Sequence, residues 1–394
     1  MFLNLVEKAF HYSNPWDHEP VELRLAELDA DCRRVAWVYE KPDTSTFRYR
    51  VYNMVESLRS CTERQVVGSW FTRDEIPALV SKLPGIDTLV LSRVRYDAAV
   101  GGLIAAARAH RVRVLFDCDD LVFDSRHVHL LLDTLDQDTR TEAGWDWWFA
   151  YIGRLEATAR LCDGGISTNP FLARLMEGVV EGPVAVVPNF LNRRQQEVSD
   201  TLLAAKAERG FVGTGPVTVG YFSGTPSHNR DFAVAAPALA ALLDRDHDVR
   251  LRVVGFMEAF GPLARHRDRM ERVPLQDWLN LQRVIAEVEV NIAPLQLNVF
   301  TNCKSELKFF EAAAVGTWTV ASPTSTFTAA IRSAHTGRLS RSEEWDAALE
   351  EAVDLVRDPS CYAPVAQHNA TMVRSDYGWN RFGKAIVAAT LRPT

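Results

Sequence analysis

The residues best placed to do chemistry lie between Asn302 and Ser322, in NCKSELKFFEAAAVGTWTVAS. Ser305 has the side chain of a helix N-cap, and Gly316 suits the residue just past a helix end. The spacing therefore predicts a helix from Glu306 to Val315. Lys304, Lys308 and Glu311 then fall at i, i+4 and i+7 and share one face. A helix N-terminus flanked by lysines attracts phosphate oxygens. A carboxylate two turns in accepts hydrogen bonds from ribose hydroxyls. Together they would hold a nucleoside diphosphate. The same spacing also fits an ordinary amphipathic helix with a charged solvent face.

A second candidate is the turn SGTPSHNRD, residues 223–231. Ser223 and Gly224 would bring backbone amides close to a pyrophosphate, and Arg230, or else His228, would supply a cation. A solvated helix-capping turn is the plainer alternative. A third is DCDDLVFD, residues 117–124, after the apolar run VRVLF. Its D-x-D could hold a divalent cation, or the acids could cap the next helix. In PDTSTFRYRVYN, residues 42–53, Thr46, Arg48 and Arg50 are positioned to meet a phosphate or acidic sugar, unless Thr46 only caps a helix. Trp145, Trp147 and Trp148 in GWDWWFAY can stack on sugar rings, touch a membrane surface, or pack in a core. The arginine-rich run Arg265–Arg272 reads as a solvated helix face.

Positioning these groups takes a repeated strand–helix grammar. Short apolar runs at 34–39, 87–92, 112–116, 164–168 and 184–188 alternate with helical stretches, as in a parallel sheet with crossover helices. Residues 193–215 turn polar and end glycine-rich, which suggests a linker. The grammar restarts with VTVGYFSG, VRLRVVG, VEVNIAPL and WTVAS. The expected architecture is α/β: two doubly wound, Rossmann-like domains at 1–192 and 216–376, then a closing helix over 377–394. Ligands in such sheets bind off the carboxyl ends of the strands.

Length and composition agree. A chain of 394 residues is long enough for two or three domains. Its 47% hydrophobic and 24% charged content is globular, and a net charge of −7 argues against nucleic acid as a partner. Six cysteines without C-x-x-C spacing suggest neither zinc nor disulfides, hence a reducing, cytoplasmic setting. No apolar run spans a membrane, and MFLNLVEKAF does not read as a signal peptide.

The stretch IAPLQLNVFTNCKSELKFFEAAAVGTWTVAS resembles the donor domain of GT-B glycosyltransferases, specifically retaining family 4 (glycosyl transferases group 1). ISTNPFLARLM with VAVVPNF is similar to that family's close of the first domain, and YGWNRFGKAIVAAT to its closing helix. The resemblance implies transfer from a nucleotide-diphosphate sugar to a glycan, lipid-linked or other acceptor. It implies retention, no metal and no further cofactor, and a place in surface polysaccharide or glycoconjugate synthesis, with peripheral membrane contact an open question. It places Glu311 on the donor ribose, and Lys304 and Arg230 on the diphosphate. Asp119 falls in the cleft, near the donor sugar or acceptor hydroxyl. Where the family often carries an earlier glutamate this chain has Cys303, so Asn302 and Lys304 are expected to take over part of its role. An inverting transferase with Asp119 or Asp120 as base, and a non-catalytic nucleotide-sugar-binding subunit, are the alternatives.

Overall fold

A computed structural model of the chain describes residues 9–60, 66–211, 213, 215–224, 228–256 and 261–392. Most of the stretch read as a non-signal N-terminus, Cys61, and the centre of the 223–231 turn lie outside them. Among the described residues, twelve strands form two six-stranded sheets. The first contains β1 (Arg33–Tyr39), β2 (Val66–Thr72), β3 (Thr88–Ser92), β4 (Arg113–Cys118), β5 (Gly165–Ser167) and β6 (Val184–Val186), in the order β2-β1-β3-β4-β5-β6. The second contains β7 (Val217–Ser223), β8 (Val249–Gly255), β9 (Met270–Val273), β10 (Val290–Ala293), β11 (Trp318–Ala321) and β12 (Arg338–Leu339), in the order β12-β11-β10-β7-β8-β9. Every pairing is parallel.

The central strands show why apolar runs sufficed to locate them. All five residues of β3 are buried, and Val90 sits in register between Trp37 and Leu115. Strands covered by helices on both faces need apolar side chains at every position. Three strands lack that signal. In β2 a glycine interrupts the run: a Cβ on Gly68 would come within 2.9 Å of Leu58 and 3.0 Å of Trp37, so close packing keeps the position bare. β9 lies inside the arginine-rich run, whose first half is the 3-10 stretch Gly261–Arg269. That run is therefore half helix and half edge strand, with Arg265 paired to Asp244. β12 has only two residues.

The polar linker is also more ordered than its composition suggests. Most of it is a 16-residue helix, Arg193–Glu208, whose N-cap Asn192 accepts from Gln195 N at 2.7 Å. It packs on the helix Trp278–Ala286, where Gln282 Nε2 donates to Ser199 Oγ at 3.1 Å.

The two sheets do not stand apart. Trp37, Phe47 and Tyr49 share one buried cluster with Phe309, Phe310 and Tyr377. Phe10 N donates to Asn280 Oδ1 at 2.8 Å, tying the start of the described chain to the second sheet's layer. At the other end, Phe382 stacks on Phe190 with ring centres 4.6 Å apart. The last helix, Gly383–Thr390, returns to the first sheet, where Thr88 Oγ1 donates to Thr390 O at 2.7 Å.

Candidate functional site

Loops leaving the carboxyl ends of β4, β5 and β10 meet between the sheets. Asn169, just past β5, donates from Nδ2 to Cys303 O at 2.8 Å. Lys304 Nζ stands 3.6 Å from Asp120 Oδ1, just past β4. Gln296 Nε2 donates to Thr134 O at 3.2 Å. Strand ends of both sheets thus converge on one interdomain site, as the ligand-binding edges of doubly wound sheets do.

On the first-domain side the acids of DCDD are divided among three cations. Asp117 is fully buried and forms a bidentate pair with Arg50, at 3.0 and 2.7 Å, with Ser92 Oγ donating at 3.1 Å. Asp119 accepts from Thr46 Oγ1 at 3.0 Å and from Arg93 at 3.2 Å. Asp120 faces Lys304. Asp117 and Asp119 both turn toward the 46–50 segment, as alternation along an extended chain requires. Burial raises the Asp119 carboxyl above the usual range, while Arg93 pulls it back. Arg93 itself occupies a left-handed backbone position, φ 52°, an uncommon conformation for a residue with a side chain.

The 42–53 loop differs from the expectation of a phosphate-binding segment. Arg48 and Arg50 are 4% and 0% exposed. Arg50 is committed to Asp117, Val187 O and Asn189. Arg48 donates to Thr44 O and to Gln195 Oε1. Arg50 thus ties the first domain together beneath the site, while Arg48 reaches the linker helix at Gln195.

On the second-domain side the helix runs over Leu307–Ala314. Its N-cap is Glu306 and no side chain caps it, which corrects the expectation for Ser305. Ser305 Oγ is instead a buried atom without a hydrogen-bond partner. Gly316, at φ 70°, does take the left-handed position past the helix end. Lys308 lies over the Tyr221 ring at 4.8 Å, and burial pushes its ammonium down to about 8. Lys304 lies over Phe300 at 4.7 Å. His228 Nδ1 meets Asp231 Oδ2 at 2.9 Å. Burial lowers the imidazole below its ordinary value, and Lys304 and Lys308 push the same way. Burial acts to raise Asp231, but the bonds from His228 and Gln296 N outweigh it and hold its carboxyl low.

Three sequence expectations meet partners that the sequence did not show, and a fourth divides between a buried and an exposed residue. Glu311 is only 3% exposed; Tyr49 OH donates to it, Gln195 Nε2 donates at 3.0 Å, and Arg48 stands 3.5 Å away. Its carboxylate bridges the domains rather than lying open on a lysine-bearing face. A neutral replacement there disturbs the domain contact as well as any ligand. Arg230 is held by Asp133 and by Asp136, the latter at 2.9 Å. That corrects the expectation of a guanidinium free to meet phosphate. Asn302 uses both ends of its amide, accepting from Ser325 N at 2.7 Å and donating to Asn298 O at 2.8 Å, so it staples the neighbouring loops. Ser223 is buried at the end of β7, whereas Gly224 beyond it is exposed, with open space where a Cβ would stand. Tyr49, Arg93, Gln195 and Asp231 escaped the sequence reading. Each acquires a role only through a partner distant in the chain, except Asp231, three residues from His228 in the turn already singled out.

Two facing parallel α/β sheets, a site between their strand ends and a closing helix that returns to the first sheet define the GT-B fold of glycosyltransferases. Residues 216–358 match the family described as glycosyl transferases group 1. Among solved structures, HepE of Anabaena, in complex with UDP and glucose, is similar over 90% of this chain and 98% of its own, at 10% identity and a TM-score of 0.58. Sucrose-phosphate synthase of Thermosynechococcus elongatus is similar over 90% and 96%, at 15% identity and a TM-score of 0.58. A glycosyltransferase of Rickettsia africae covers 90% and 97%, at 10% identity and a TM-score of 0.55. No curated protein matches by sequence. Among the described residues no helix is long and apolar enough to cross a membrane.

Proposed function

We propose that the chain transfers a sugar from a nucleotide-diphosphate donor to a hydroxylated acceptor, with the diphosphate held by Lys304 and Lys308. The observation that carries this reading is Lys308: a largely enclosed ammonium, depressed by burial, with an aromatic ring beside it and, among the described residues, no carboxylate bonded to it. Such a cation is costly unless an anion joins it. The orphaned Ser305 hydroxyl and the exposed Gly224 backbone lie on the same domain and suit phosphate oxygens. Charge growing on the leaving diphosphate would be neutralised by these groups as the glycosidic bond breaks. No metal enters this scheme. Because HepE is solved with UDP-glucose, uridine diphosphate is the first probe.

The binding should depend on pH in a definite direction. Below about 8 the free site carries a protonated Lys308 and accepts the diphosphate fully. Above that pH the ammonium must be re-protonated on binding, so affinity falls, approaching tenfold per pH unit. For folding the sign is opposite. The depressed ammonium penalises the folded state below about 8, and that penalty is relieved as pH rises toward the ordinary lysine value. Calorimetry with uridine diphosphate between pH 7 and 9 checks this. Lys308→Met should be weaker and flat across the range; an equally flat parent would remove Lys308 from the site.

Asp119 is the first domain's contribution to the reaction in this scheme, facing the donor sugar or the acceptor hydroxyl. Asp119→Asn is expected to lower turnover by at least about tenfold, or roughly 1.4 kcal/mol of barrier, with uridine diphosphate binding unchanged. Unchanged turnover would make Asp119 a structural partner of Thr46 and Arg93. We assign retention of anomeric configuration. One observation favours inversion: burial raises the Asp119 carboxyl above its ordinary value, the direction that makes it a stronger base. The anomeric configuration of the product decides between them.

A further inference from the structure

The amino ends of β1, β3 and β4, three neighbours in the first sheet, gather a second set of cations. Val35 is in register with Thr88, and Thr88 with Arg113. Arg33 stands two residues before Val35. Side chains alternate along a strand, so Arg33, Thr88 and Arg113 leave the sheet on one face. The end of the last helix lies on that face. Thr88 Oγ1 donates to Thr390 O, while Arg113 reaches Ala389 O and Thr390 O only at 3.4 and 3.3 Å. A cavity of about 280 Å³ opens here, lined by Arg33, Asp87, His110, Arg111, Arg113 and Arg392. Arg113 and Cys118 stand at opposite ends of β4, about 17 Å apart at roughly 3.3 Å per residue. The interdomain site lies beyond the Cys118 end.

Four guanidiniums share this cavity with one carboxylate, and that carboxylate is already spent. Asp87 accepts from Arg33 Nε with one oxygen and from Arg34 N, at 2.7 Å, with the other. Among the described residues no carboxylate is bonded to Arg111, Arg113 or Arg392. Burial lowers the Arg113 guanidinium below its ordinary value, and Arg392 pushes the same way, with Asp163 opposing. Helix ends supply a simpler partner for such cations. The helix Ala98–Ala109 ends at His110, and the last helix at Thr390. Each end carries roughly half a negative charge, so the two ends and Asp87 offset only about two of the four positive charges. About two remain unmatched, in a chain whose net charge is −7. A phosphate monoester carries about −1.5 to −2 at neutral pH and three strong acceptor oxygens, and guanidinium forks match its geometry. The volume sits just under the roughly 300–1,000 Å³ of pockets that enclose drug-sized ligands. It suits a compact anionic group rather than a nucleotide sugar.

We propose that this cavity is a second anion site, separate from the donor site, which binds a phosphate monoester group through Arg33, Arg111, Arg113 and Arg392. The group belongs to a soluble phosphate ester or to a phospholipid head, since both present the same oxygens.

The test uses the full chain carrying Lys304→Met and Lys308→Met, so that the donor site does not contribute. It is titrated with inorganic phosphate by calorimetry, and sedimented with phosphatidylcholine vesicles containing phosphatidic acid. Binding to at least one probe is expected. Arg113→Gln should weaken it about tenfold or more, and so should Arg111→Gln combined with Arg392→Gln. The second variant changes only exposed side chains, so it keeps the test open if Arg113→Gln fails to fold. The control Arg250→Gln with Arg267→Gln removes two exposed charges elsewhere and should bind like its parent. Arginine-dependent binding of phosphate alone assigns the site to a soluble ester, and of vesicles to a lipid head. No binding to either probe overturns the proposal, as does parent-like binding in the cavity variants or an equal loss in the control. Uridine diphosphate titration of the unsubstituted chain keeps the two readings apart: failure there removes the donor site, whatever this cavity binds.

Discussion

Truncating Asp117 to alanine is expected to cost about 3–5 kcal/mol of stability, the cost of stranding one member of a buried ion pair. Arg50 and Asp117 have side chains 0% and 1% exposed, joined by two hydrogen bonds. Without the carboxylate, the Arg50 guanidinium retains Val187 O and Asn189 Oδ1 but loses its bonded countercharge. Urea denaturation should show a clear fall in the midpoint of the first domain's transition. The double variant Arg50→Met with Asp117→Leu should recover most of the loss, because it removes both charges and fills the same space with apolar atoms. A loss under about 1 kcal/mol for the single variant would mean that water reaches the pair. Asp117 also follows Phe116 in the strand that leads to Asp119, so its loss should loosen the placement of that carboxylate.

The largest effect on ligand binding is expected from Lys304→Met combined with Lys308→Met. Each charge-assisted contact to a phosphate oxygen is worth roughly 1.5–3 kcal/mol, so the pair should weaken uridine diphosphate by at least about a hundredfold at pH 7. Stability should not suffer. Lys304 gives up a 3.6 Å contact with a partly exposed Asp120, and Lys308 is itself penalised by burial. Isothermal titration of the double variant, alongside Arg230→Ala, separates the two second-domain candidates. Arg230 is held by Asp133 and Asp136, and its loss should weaken the domain contact rather than the phosphate site. Parent-like affinity in the lysine double variant would place the diphosphate elsewhere.

Glu311 shows where sequence reasoning stops. Its helix and its face follow from periodicity, and the C-terminal glycine of that helix has the positive φ its position demands. The ribose role assumed a carboxylate facing a cleft. Tyr49, whose hydroxyl bonds it, lies 262 residues earlier, and nothing in either local pattern links the two. Arg50 and Asp117 are similarly separated by 67 residues. Read locally, the arginines of FRYRVY look like a phosphate patch, because sequence gives charge but not burial.

The sequence by itself determined the two-domain α/β plan. Buried parallel strands must be apolar at nearly every position and turns require glycine or capping side chains, so hydrophobic period and punctuation carried that information. It also determined which segments supply strand-end loops. Tertiary structure alone decided which charges are spent within the protein and which are not. The Coulomb energy of a pair depends on separation and on the water excluded around it, and both are set only when the two sheets close on each other. That closure commits Arg48, Arg50 and Arg230 to the protein's own acids and amides, and leaves Lys308 enclosed with no carboxylate bonded to it among the described residues.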